Sequence, residues 1–114
     1  PIDLKRAAET ADFAILNASH GATAEMLLGG IPVLQLPLQM EQQLVAYRTV
    51  ACGAGLAMNP TKPGELSPKI VCLISDPRYR VAAGRFRDKY RAFDAATATS
   101  SMADRVESLA TAAA

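Results

Sequence analysis

Residues 13–42 read F-A-I-L-N-A-S-H-G-A-T-A-E-M-L-L-G-G-I-P-V-L-Q-L-P-L-Q-M-E-Q. Two short apolar runs bracket a polar turn and a helix-forming stretch. Phe13-Ala14-Ile15-Leu16 shows no polar alternation, as expected of a strand buried on both faces in a parallel sheet. Asn17-Ala18-Ser19-His20-Gly21 is a loop of small and polar residues. Ala24, Glu25, Met26, Leu27 and Leu28 are good helix formers and Gly30 is a natural left-handed stop, so a helix is predicted over 22–29. The second apolar run, 31–36, reads as another strand. Pro32 sits at its start, where a missing donor is tolerated, and Pro37 closes it.

The same alternation extends outward. Leu4, Ala7, Ala8 and Ala11 recur at helical spacing and predict a helix over 4–11. A helix over 41–51 ends at Gly53 and Gly55, and Leu56-Ala57-Met58 is a third strand. A turn-rich connection, 59–64, comes next. Three helices are predicted after it, over 65–74, 78–93 and 101–110. Asp76-Pro77 starts the second of these, with Asp as cap and Pro in the first turn. The order predicts an α/β fold: a partial Rossmann-like parallel sheet of about three strands flanked by helices. Abundant alanine (22 residues) and few aromatics (5%, no Trp) suit helices packed closely on a sheet.

The chain has 114 residues, 50% of them hydrophobic and 20% charged. A single domain over 1–114 is expected, able to bury roughly two-thirds of its unfolded surface. Intrinsic disorder is excluded at this composition, and a self-contained two-domain enzyme is not expected at this size. The net charge of +1 is too balanced to argue for nucleic acid or an anionic membrane. Arg78, Arg80, Arg85, Arg87, Lys89 and Arg91 cluster on one predicted helix, but Asp76, Asp88 and Asp94 dilute them, and a solvated face is the simpler expectation. No run approaches 18 apolar residues, so no transmembrane helix is expected. Pro1-Ile2-Asp3-Leu4-Lys5 lacks an initiator Met and resembles no signal peptide, so a piece of a larger cytoplasmic protein is expected, with more strands upstream. Cys52 and Cys72 form no metal or redox spacing and are expected to be free, buried thiols; no metal site is expected.

Candidate chemistry concentrates between Asn17 and Gln42. In an open α/β sheet, ligands bind beyond the carboxyl ends of the strands. There a helix N-terminus offers unpaired N–H groups and a partial positive charge, which together suit an anion. Gly21 would let the backbone approach an oxyanion, Thr23 could add a hydroxyl, and His20 could donate from a ring nitrogen. The plainer alternative is that Ser19 or His20 caps the helix and Gly21 makes the turn. Glu25 lies one turn beyond Gly21. Glu41 and Gln42 open the next helix, where a carboxylate and an amide could bind sugar hydroxyls or simply be first-turn polar residues.

Taken whole, the window resembles the C-terminal, donor-binding domain of nucleotide-sugar glycosyltransferases with the glycosyltransferase B fold. The features that match are the small-residue turn, Glu25, then Gly30-Ile31-Pro32, an apolar strand ending Leu36-Pro37, and Glu41-Gln42 where the family has Asp-Gln. Gly53-Ala54-Gly55-Leu56, Asp76-Pro77-Arg78-Tyr79-Arg80 and the segment from Met102 to Glu107 resemble later parts of that domain. The resemblance implies that Gly21, Ala22 and Thr23 contact a diphosphate, Glu25 the ribose, and Glu41 and Gln42 the transferred sugar. The family's phosphate-binding His lies eight residues before the Glu, at Asn17 here; His20, five before Glu25, is preferred for the role because it can add positive charge, with Asn17 as the alternative. The donor would be a nucleoside diphosphate sugar, UDP or TDP foremost, with no cofactor. The general base and the acceptor site would lie on an N-terminal domain or partner subunit that nothing here matches, so the chain is not expected to turn over alone. A non-catalytic interaction module, self-associating through an exposed sheet edge, is the alternative from another class. A sugar-nucleotide epimerase fits less well.

Overall fold

The computed structural model describes residues 2–91 and 95–113. Three short parallel strands, β1 (Ala14–Leu16), β2 (Val33–Gln35) and β3 (Gly55–Ala57), lie in the order β1-β2-β3. Ala14 pairs with Val33 and Val33 with Gly55, so the strands are in step. The helices are α1 (Leu4–Thr10), α2 (His20–Leu28), α3 (Met40–Ala51), α4 (Leu66–Ser75, entered through a 3₁₀ turn at Pro63–Glu65), α5 (Pro77–Lys89) and α6 (Ala95–Ala113). This is the expected α/β class.

β2 is central and wholly buried, and its alternation divides the core. Val33 packs with Ala8, Met26 and Ile31, joining α1 and α2 to one face. Leu34 packs with Met58 and Leu73 on the other face, where α4 lies. Leu27, Ala54 and Ala83 form a third cluster that seats α5 against α2. Arg80 of α5 reaches the Asp12 carbonyl, just before β1, at 2.9 Å. The first half of α5 therefore lies beside the amino end of β1. The described side chains of α6, 99–112, are all exposed.

Several boundaries differ from expectation for local reasons. α2 begins at His20, not Ala22, because the Thr23 N–H already bonds the Ser19 carbonyl at 3.1 Å. The chain turns tightly enough for this because Ala18 takes a left-handed φ of 63° and the Asn17 side chain accepts the Ser19 N–H at 3.1 Å. α5 ends at Lys89; Phe93 lies outside the described residues. α6 is longer than the predicted 101–110. Asp76 caps α5 as expected, accepting the Arg78 N–H. The cysteines are free, but both are exposed instead of buried, because Cys52 ends α3 and Cys72 lies on the outer face of α4. No described helix is long and apolar enough to cross a membrane.

Candidate functional site

The site is built where β1 and β2 end. Leu36 donates its N–H to the Leu16 carbonyl at 2.7 Å, so the two chains leave the sheet side by side. One turns into α2 through Asn17, Ala18 and Ser19. The other runs through Pro37, Leu38 and Gln39 into α3. Both helix N-termini thus stand at the carboxyl edge of the sheet.

At α2 the first turn is uncapped. Ser19 occupies the cap position with extended backbone, but its hydroxyl makes no capping bond. With Thr23 bonded to Ser19, the N–H groups of His20, Gly21 and Ala22 have no acceptor among the described residues. His20 and Gly21 are exposed. A Cβ built on Gly21 would meet nothing within 4 Å. Glycine is unfavourable inside a helix by up to about 1 kcal/mol relative to Ala, and here no packing contact calls for it. What Gly21 does provide is an open surface beside the unpaired N–H groups, at the positive end of the helix dipole.

Not every expected donor faces that space. Thr23 is buried, and its Oγ1 accepts from Gln35 Nε2 at 2.9 Å. Its N–H is engaged inside the helix and its Oγ1 accepts from Gln35, so the open set of backbone N–H groups is His20, Gly21 and Ala22, one residue earlier than Gly21, Ala22 and Thr23. Asn17 is exposed, with its side-chain oxygen spent on the turn. Glu25 is half-buried, one helical turn further along.

At α3 the entering chain is held by Gln42, while the first-turn N–H groups of Met40 and Glu41 have no acceptor among the described residues. Gln39 and Gln42 form a reciprocal capping box, and Gln42 Oε1 accepts from Leu38 N at 2.8 Å and Gln39 N at 3.1 Å. Gln42 therefore has only its amide NH₂ to offer a ligand. Glu41 is exposed in the first turn. A hollow of about 540 Å³ opens beside this turn, between the ends of β2 and β3; Leu38, Gln43, Asn59, Thr61 and Lys62 line it.

The residue that sequence reasoning missed is Gln35. It is a fully buried amide in the central strand, and its Nε2 also donates to Thr49 Oγ1 of α3 at 3.2 Å. Its one signal was a polar residue inside the apolar run 31–36. Among the described residues no group of three His, Cys, Asp or Glu side chains could hold a metal ion. Half of the basic cluster on and just after α5 is ion-paired. Arg78 binds Asp76 at 2.7 Å, and Arg87 and Arg91 bind Asp88 at 3.2 and 2.6 Å. These bonds hold the carboxyls of Asp76 and Asp88 below their usual range, through Arg78 and Arg87 respectively.

No family model matches the chain. Over 86 residues it is 30% identical to the 4'-demethylrebeccamycin synthase of Lentzea aerocolonigenes; the match takes in 74% of this chain but spans only about a fifth (20%) of that protein. The spinosyn forosaminyltransferase SpnP matches 96% of the chain at a TM-score of 0.80 and 20% identity, over 29% of its own length. The glycotransferase of kitacinnamycin matches 81% at a TM-score of 0.73 and 24% identity, over 24% of its length. The glycosyltransferase SnogD from Streptomyces nogalater matches 76% at a TM-score of 0.65 and 25% identity, over 22% of its length. These neighbours are glycosyltransferases of the glycosyltransferase B type, and in fold the chain is a counterpart of their C-terminal domain.

Proposed function

We propose that the chain is the donor-binding part of a glycosyltransferase, holding the diphosphate of a nucleoside diphosphate sugar at the first turn of α2. The observation that carries this is the run of unpaired N–H groups at His20, Gly21 and Ala22, with His20 and Gly21 exposed and open space beside Gly21. The helix dipole adds about 0.3–1 kcal/mol per bound charge, and the His20 imidazole supplies a further donor. Glu25 takes the ribose hydroxyls; Glu41 and the Gln42 NH₂ group take those of the sugar. UDP and TDP are the favoured nucleotides.

In such an enzyme an acceptor hydroxyl displaces the diphosphate, and these donors offset the charge that develops on the leaving group. The acceptor and the general base come from an N-terminal domain or partner subunit, so the chain by itself binds donor without turning it over. Isothermal titration with UDP, TDP, GDP and ADP tests the reading. Saturable binding of one diphosphate, absent with its nucleoside, is expected. Absence of binding for all four to the folded chain would contradict it.

A second reading, an interaction module, draws on one observation. Met40, Leu44, Tyr47 and Val50 run along α3 at helical spacing and are exposed, Met40 at 87%. Sedimentation at several concentrations separates the two: self-association favours the module, a monomer that binds diphosphate favours the donor site.

A further inference from the structure

Gln35 is a buried amide at the carboxyl end of the central strand. On one side its Nε2 bonds Thr23 of α2 at 2.9 Å, and on the other it bonds Thr49 of α3 at 3.2 Å. Thr49 Oγ1 passes its own proton to the Val45 carbonyl at 2.8 Å. Gln35 Oε1 is buried with no partner among the described residues. The two bonds and the orphaned oxygen offset one another, so this amide adds little to stability. It does fix a direction. Thr23 closes the first hydrogen bond of α2, and the three unpaired N–H groups immediately precede it. Residues in a helix are set about 100° apart around the axis, so a pinned Thr23 fixes where the N–H groups of His20, Gly21 and Ala22 point.

We infer that Gln35 is a positioning residue: it clamps the first turn of α2 to the sheet and to α3, and thereby aims the unpaired N–H groups at the diphosphate. This rests on the donor-site reading for the ligand, but not for the clamp. Thr23 is a part of the clamp and makes no contact with the donor.

Three variants of this chain test it: Gln35→Met, Thr23→Val and Thr49→Val. Two readouts are needed, the backbone amide signals and hydrogen exchange of residues 20–22 without ligand, and the Kd for UDP and TDP. Gln35→Met and Thr23→Val are expected to shift and loosen the amides of residues 20–22 and to weaken diphosphate binding about tenfold. Combined, they are expected to do no more than either alone. Thr49→Val is expected to leave the affinity within about twofold, since Thr23 keeps its bond. The inference is overturned if residues 20–22 are unchanged in Gln35→Met and Thr23→Val, or if all three variants lose binding in proportion to their lost thermal stability. If the parent chain binds no diphosphate, the donor reading fails alone, and the ligand-free amides still decide whether the clamp exists.

Discussion

Leu36 gives its N–H to the Leu16 carbonyl at 2.7 Å, one residue beyond the paired strands. That single bond keeps two exits from the sheet together for an extra step, about 4.8 Å apart as neighbouring strands are. Beyond it the two sides part. At the α3 exit Gln42 Oε1 holds the N–H groups of Leu38 and Gln39, whereas the α2 exit has no side-chain cap on its helix. The first turn of α3 also carries the Glu41 carboxylate, whereas that of α2 has no acidic residue.

Gly21 separates stability from binding. A carboxylate placed there sits at a helix N-terminus with open space around it, so Gly21→Asp is expected to keep or raise the melting temperature, by the equivalent of about 0.3–1 kcal/mol. The same carboxylate repels a diphosphate, and the affinity is expected to fall more than tenfold, or about 1.4 kcal/mol. Thermal melts and titrations on one sample check both signs. Unchanged affinity would remove the α2 turn from the site.

Gly55 behaves in the opposite way. It opens β3 against Val33, and a Cβ there would run into the Val33 carbonyl and come within 3.0 Å of Thr49 Cγ2. Backbone cannot give way as a flexible side chain can. Gly55→Ala is therefore expected to cost about 1–3 kcal/mol or more, read as a lowered denaturation midpoint.

Acid should loosen α5. The Arg78 guanidinium, aided by the Arg78 N–H, holds the Asp76 carboxyl below its usual range. A lowered folded pKa contributes stability that is present above the unfolded value near 3.9 and lost as pH falls through the folded value. Asp76→Asn keeps a capping acceptor but has no carboxyl to titrate. Its melting temperature is expected to change less steeply than the parent's below about pH 4.

Both thiols should react in the folded chain. Cys52 and Cys72 are exposed and free. A thiol reagent without denaturant is expected to label two sites, with no increase after reduction. A single label, or none, would contradict the exposed placement.

The strands are legible in the sequence because 13–16 and 31–36 are uninterrupted or nearly uninterrupted apolar runs; β2 is buried as that pattern implies, whereas β1 is an edge strand and leaves Ile15 46% exposed. Gly30 is legible as a stop because its φ of +75° is a conformation that glycine adopts freely. Gly21 reads as loop, since a glycine beside His and Ser looks like turn punctuation, yet it sits in the first turn of α2. The role of Thr23 is hidden for another reason. Its partner Gln35 is twelve residues away, and only the parallel pairing of β1 with β2 brings them together. The engagement of Gln42 does have a local signal: Gln39 and Gln42, three apart before a helical run, are a capping-box spacing.

A two-dimensional amide NMR titration of the chain with UDP, TDP, GDP and ADP tests the donor site at α2 most directly. Saturable shifts centred on His20, Gly21 and Ala22 are predicted with one preferred diphosphate, while the capped turn at Glu41 and Gln42 moves only when the sugar is attached. A dispersed, folded spectrum in which residues 20–22 stay still for all four would contradict it.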